Sequence, residues 1–122
     1  MGYESRLYVA EKTDIRNKGR RYARLLCRFD LGKCYPLSDI LRDKPETNCY
    51  VYADDGNTQI IEDCYGRALT ETDLKTVINI LEKIVVDNTY KYTYPLLETL
   101  RVFEKQKQQG LWQDIVVLHY GY

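Results

Sequence analysis

The sequence predicts an α+β fold in which a mostly antiparallel sheet of about five strands carries two main helices packed on one face. Apolar and polar residues alternate along residues 21–31, which is the period of a half-buried strand. Two later stretches instead repeat apolar residues at helical spacing. The 122 residues, 44% hydrophobic and 30% charged, suit a single globular domain over residues 1–122.

The first half of the chain predicts a strand pair followed by a short helix. Residues 5–12 (SRLYVAEK) alternate as a strand, and residues 13–20 follow as a loop with Gly19 as its breaker. Residues 21–31 form the second strand, and Pro36 suits the first turn of a short helix. Strict alternation assigns one side of the second strand to the core: Ala23, Leu25, Cys27, Phe29 and Leu31. It assigns the opposite side to the outer face: Tyr22, Arg24, Leu26, Arg28 and Asp30.

The stretch NCYVYADDGNTQIIEDCYG predicts a hairpin. Asp55 and Gly56 favour a two-residue type I′ turn, because both residues can take positive φ. That turn pairs Tyr52 with Gln59. Period two puts Tyr50 and Tyr52 on the outer face. The opposite face is more apolar and belongs to the core. It includes Cys49, Val51 and Ile60.

The second half of the chain predicts two helices and a last strand. Thr70 and Asp73 resemble a capping box at the start of the first helix. The second helix begins near Pro95 and ends at Gln109, with Gly110 as its stop. The run DIVVLHYGY is apolar enough for a central strand. The two helices are expected to shelter the core face of the sheet, including Leu25, Phe29, Val51 and Ile60.

Composition excludes several classes of protein. The 18 basic and 18 acidic residues give a net charge of zero, which argues against general nucleic-acid binding. No apolar segment is long enough to span a bilayer, and the N-terminus has no signal-peptide pattern, so a cytoplasmic protein is expected. The four cysteines, Cys27, Cys34, Cys49 and Cys64, are spaced too widely for a zinc site and are expected to be free thiols.

No pattern of an enzyme, a metal centre or a cofactor site stands out. The sequence has neither a P-loop nor a G-x-G-x-x-G motif. The single histidine, His119, alternates with apolar residues, which is typical of an ordinary strand residue. A nucleotide hydrolase that uses Asp54, Asp63 and His119 stays open as an alternative.

Tyrosine is the unusual residue, with 12 copies against two phenylalanines and one tryptophan. Arginine forks bind phosphate or carboxylate, tyrosine rings stack on bases, and both residues are enriched at protein interfaces. The alternative is a solvated sheet face with cross-strand Tyr–Arg pairs. The candidate binding residues are Tyr22, Arg24, Arg28, Tyr50, Tyr52 and, at the rim of the last strand, Tyr120.

Four phrases, MGYESRLYVAEK, YPLSD, NCYVYADDGNTQIIEDCYG and VVLHYGY, together resemble small proteins encoded by phages and mobile elements of Gram-positive bacteria. The resemblance covers nearly the whole chain. It implies a phage product that acts in the bacterial host cytoplasm, and it carries over no site residue and no cofactor.

The sequence therefore predicts a non-enzymatic phage-type binding protein that inhibits a bacterial antiviral defence system by contact with a host defence protein. One alternative is sequestration of a cyclic or ADP-ribose-like nucleotide signal in a pocket between subunits. Another is the nucleotide hydrolase above. A third is a structural or regulatory phage protein whose tyrosine face is the seam of a homo-oligomer.

Overall fold

The computed structural model describes residues 5–17, 19–52, 59–60 and 62–121, and these residues form an α+β fold, as the sequence predicts. The strands are β1 (Ser5–Asn17), β2 (Arg20–Asp30), β3 (Cys49–Tyr52), β4 (Gln59–Ile60), β5 (Thr70–Asp73) and β6 (Ile115–Gly121). The helices are α1 (Tyr35–Arg42), α2 (Leu74–Ile84) and α3 (Tyr94–Gln108), and a 3-10 helix (Asn88–Thr93) precedes α3.

The sheet has the strand order β4-β3-β2-β1-β6-β5. Neighbouring strands are antiparallel, with the exception of β2 and β3, which run parallel because α1 carries the chain back between them. The hairpin register agrees with the prediction, since Tyr52 pairs with Gln59. The predicted turn at Asp55 and Gly56 lies outside the described residues.

Two element boundaries differ from the sequence prediction. The expected loop over residues 13–20 is mostly strand, because β1 continues to Asn17 and a tight turn with Gly19 at φ 77 leads into β2. Thr70 does not cap a helix but begins β5, which pairs with β6. The N-cap of α2 is Asp73, whose Oδ2 accepts a hydrogen bond from the Thr76 backbone N–H at 3.1 Å. β-branched threonines suit a strand, and this preference explains the later helix start.

The segment at residues 45–47 links β5, at one edge of the sheet, to β3. Directly before β3, the Thr47 backbone N–H donates to Leu69 O at 2.9 Å, and the Glu71 N–H donates to Pro45 O at 2.8 Å. Residues 49 and 50, a few positions later in the chain, pair with β2. The same stretch of chain therefore contacts both β5 and β2, which rolls the sheet into a barrel. We call the pairing of residues 45–47 with β5 the seam.

The rolled sheet has a core on each side, whereas the sequence predicted a core on one face alone. The outer side packs against the helices through Leu7, Val9, Ile115 and Val117. The inner side forms a second core, with Leu25 and Ile60 packed on its margin, from Tyr8, Ala10, Ala23, Cys49, Val51, Leu69, Val116 and Leu118. The expectation that helices shelter Leu25, Val51 and Ile60 is therefore wrong, because these side chains point into the barrel.

A bulge in β2 reverses the side that its residues face. Val9 pairs with Cys27 but Ala10 pairs with Leu25, so Leu26 is an extra residue in β2. One extra residue moves the following side chains to the other face of a sheet. Strict alternation along β2, which the sequence prediction assumed, is therefore wrong.

A charged cluster lies beside the seam. Glu71 accepts hydrogen bonds from Thr47 Oγ1 at 2.9 Å and from Lys12 Nζ at 2.7 Å. The Lys12 and Glu71 side chains are 13% and 25% exposed, so water screens this ion pair incompletely. The carboxylate thus ties β1 to the seam.

Replacement of Glu71 by alanine should lower the free energy of unfolding by about 2 kcal/mol, because two hydrogen bonds are lost and the Lys12 ammonium stays half-buried without its partner. The matched control is Glu98→Ala, which breaks an exposed pair with Arg101 on α3 and should cost below about 0.5 kcal/mol. Urea unfolding measures both values. Equal losses in the two variants would contradict a stabilising role for Glu71.

Candidate functional site

Three tyrosines from β2 and β3 form one aromatic cluster on the outside of the barrel. Parallel pairing places Tyr22 beside Tyr50, and Tyr52 follows two residues later on the same side of β3. The ring centroids of Tyr22 and Tyr52 are 5.1 Å apart, and those of Tyr22 and Tyr50 are 6.1 Å apart. Tyr50 and Tyr52 meet edge to face at 6.0 Å. We call these three residues the tyrosine cluster.

The phenol groups of the tyrosine cluster retain their capacity for hydrogen bonds. Tyr50 is only 4% exposed, whereas Tyr22 and Tyr52 are half-buried. Within the part of the chain that the structure describes, the three hydroxyls make no hydrogen bond, and no buried side-chain oxygen lacks a partner. Each hydroxyl therefore reaches the solvent, while the rings pack against one another.

Arg24 extends the tyrosine cluster with a positive charge. It pairs with Glu11 of β1, two residues along β2 from Tyr22, and so faces the same outer side. Its side chain is exposed and forms no ion pair with any other described residue. Tyr22, Arg24, Tyr50 and Tyr52 together make the surface that we call the Tyr–Arg surface.

The other two predicted site residues lie on the opposite side of the sheet. Arg28 pairs with Tyr8, whose side chain points into the barrel. Tyr120 also contacts Tyr8, with ring centroids 6.0 Å apart, and the Arg6 guanidinium lies 5.1 Å from the Tyr120 ring centroid. The prediction that Arg28 shares one outer face with the other four residues of β2 and β3 is therefore wrong, because the bulge at Leu26 separates Arg24 from Arg28.

A second polar cluster surrounds His119. His119 is 3% exposed and Ser5 is 5% exposed, and Ser5 Oγ lies 3.0 Å from His119 Nε2. Beside them is a cavity of about 10 Å³, which we call the His119 cavity. It is lined by Arg42, Asp63, Arg67, Ala68, Thr70, His119 and Gly121. Arg42 and Arg67 were not predicted as site residues, because nothing in their spacing indicates that a helix end and a distant turn meet at a histidine.

The electrostatics of the His119 cavity keep the imidazole neutral. Burial lowers the pKa of His119 to about 4; the Arg42 and Arg67 charges lower it as well, and Asp63 opposes them. Asp63 Oδ1 accepts backbone hydrogen bonds from Tyr65 at 2.8 Å and from Arg67 at 2.9 Å. Asp63 and His119 are thus close together, as a hydrolase would need, whereas Asp54 lies outside the described residues. A cavity of this volume admits about one water molecule, which is too little space for a nucleotide.

The four cysteines are free thiols, as expected. Burial raises the pKa of Cys27 to about 11 and also raises the pKa of Cys34 and Cys49, which makes the reactive thiolate scarce. Cys64 is exposed and lies in a turn. The three thiols with raised pKa act as small apolar residues of the core.

A groove of about 340 Å³ lies between the start of α2 and the end of α3. Its lining mixes both signs of charge: Asp73, Leu74, Lys75, Glu104, Lys107 and Gln108. Two carboxylates balance two ammonium groups there, so the groove has no preference for a ligand of either sign.

Comparison with known proteins adds no family to this description. No protein-family model, no curated protein and no solved structure matches the chain. Among residues 5–17, 19–52, 59–60 and 62–121, no helix has both the length and the hydropathy to cross a membrane.

The buried His119 should make the protein less stable in acid. The unfolded chain binds a proton on His119 near the ordinary pKa of 6.5, but the folded protein binds it only near pH 4. The free energy of unfolding therefore falls by about 3 kcal/mol in total as the pH drops from the unfolded-state pKa to the folded-state pKa of His119. His119→Gln cannot titrate, so its stability should lack this component. Urea unfolding of both proteins between about pH 7 and pH 4 measures the difference, and a gap that stays constant with pH would refute the assignment.

Proposed function

We propose that the chain is a non-enzymatic binding protein that contacts a partner protein through the Tyr–Arg surface. One observation carries the proposal: the three tyrosine hydroxyls have no partner among the described residues, and the exposed Arg24 lies beside them. Tyrosine and arginine are the residues that most often dominate binding energy at interfaces.

Mutual packing of the rings favours binding. Tyr50 is almost fully buried by its surroundings, and its ring contacts both Tyr22 and Tyr52. The partner therefore meets side chains that are already ordered, and less rotamer entropy is lost on association. The rings supply apolar area, the hydroxyls supply hydrogen bonds, and Arg24 selects a carboxylate or another anionic group on the partner.

The resemblance to small phage proteins supports the choice of partner. On this proposal the partner is a protein of a bacterial antiviral defence system, and the chain inhibits it by contact in the host cytoplasm. The balanced charge of the chain, with 18 basic and 18 acidic residues, fits a protein partner better than a nucleic acid.

A nucleotide signal is the second candidate for the same surface. Tyr22 and Tyr52 are half-exposed rings on which a base can stack, and Arg24 can meet a phosphate group. The tyrosine cluster lies on the outside of the barrel, so a second subunit would have to supply the other wall of the pocket. Protein contact needs no such addition, and we therefore place it first.

The test is a pull-down from phage-infected cells with three tagged forms: the natural protein, Arg24→Ala with Tyr52→Ala, and Arg28→Ala. Arg28 has the same chemistry as Arg24 and is also exposed, but it lies on the opposite side of the sheet. Mass spectrometry should find one defence protein with the natural form and with Arg28→Ala. The double variant should lose it by at least about 30-fold, which is the loss expected for hot-spot residues.

Melting curves must show that the double variant is folded. Retention of the partner by a folded double variant would refute the Tyr–Arg surface. Recovery of an unchanged nucleotide in place of a protein would support the second candidate, and recovery of a cleaved nucleotide would support the hydrolase.

A further inference from the structure

We infer that the rim of the His119 cavity is a binding site for a small oxyanion, either free phosphate or the phosphate group of a larger ligand. This site is separate from the Tyr–Arg surface. Ser5, at the His119 end, begins β1 and lies near the end of β2, whereas Tyr22 lies near the start of β2. The two sites are thus at opposite ends of the strand pair.

Positive charge converges on the cavity from two elements. Arg42 comes from the last turn of α1, and Arg67 comes from the turn that follows Asp63. Both guanidinium groups line the cavity together with His119, and their charges lower its pKa. Asp63 is the single carboxylate among the described lining residues, and the Asp39 carboxylate contacts Arg42 from outside the lining. Planar guanidinium donors match the oxygens of phosphate and carboxylate.

Arg67 is the residue most available to such a ligand. Its backbone is fixed, because its N–H donates to Asp63 Oδ1 and its carbonyl accepts from the Asp63 N–H at 2.7 Å. Its side chain is exposed and makes no ion pair with the described residues. Arg42, in contrast, already contacts Asp39 at 2.8 Å. A fixed backbone with an unpaired guanidinium is suited to capture of an anion.

The dimensions of the cavity define the ligand class. Its volume of about 10 Å³ admits one oxygen-sized group, and a sugar or a base is excluded from it. The anion therefore places one oxygen at the cavity and keeps the others at the rim beside Arg67. The imidazole of His119 is neutral and hydrogen-bonded to Ser5, so it neither repels nor chemically attacks the ligand.

The single histidine provides a direct readout. The groups that face it are Ser5 from β1, Arg42 from α1, Asp63 and Arg67 from the turn, and Thr70 from β5. An anion at the rim offsets the guanidinium charges, so it should raise the pKa of His119. NMR titration of the imidazole with inorganic phosphate, at constant ionic strength set with chloride, follows binding and pKa together.

The natural protein should show a saturable shift of the His119 signal and a higher His119 pKa in phosphate. Arg67→Ala should weaken phosphate binding by at least about tenfold, since one charge-assisted contact is lost. Arg101→Ala, which removes an exposed arginine on α3, is the matched control and should bind as the natural protein does. A shift that does not saturate would overturn the inference. Equal binding by a folded Arg67→Ala variant would overturn it as well.

Discussion

The seam between residues 45–47 and β5 determines most of what is distinctive in this molecule. Two backbone hydrogen bonds and the Glu71 carboxylate hold it. Without the seam, the sheet would be an open layer with helices on one side and solvent on the other. With it, the second face becomes an apolar interior, and Cys49 and Val51 are buried at zero exposure. The tyrosine cluster then faces outward, because its residues alternate with these buried ones along β3.

Local sequence patterns predicted much of the fold, because helices, caps and turns depend on residues that are neighbours in the sequence. The α+β class, the short α1, the end of α3 before Gly110 and the pairing of Tyr52 with Gln59 all follow from spacing, caps and turn residues. The seam could not be predicted this way, because Thr47 meets Leu69 and Glu71 through the fold rather than through any periodic pattern. A contact of this kind leaves no signal in one strand taken alone.

The candidate site shows the same division. The grouping of Tyr22, Tyr50 and Tyr52 on one face was predicted correctly, because no bulge intervenes among them. Arg28 was assigned to the wrong face, because Leu26 is an extra residue in β2. Leu26 is an ordinary apolar residue, and nothing in the sequence indicates a bulge there. Arg42 and Arg67 were missed for a different reason: they are far apart in the chain, and the fold brings both to the lining of the His119 cavity.

The parallel pairing of β2 with β3 also has a consequence for assembly of the chain. The β1–β2 hairpin needs only local contacts, but β3 can reach β2 only after α1 has crossed the sheet. Until then, β2 and β5 present unpaired backbone edges, which are templates for joining another chain. Rapid docking of α1 therefore limits the time during which a newly made chain is prone to aggregate, and the two-residue β4 offers only a short edge afterwards.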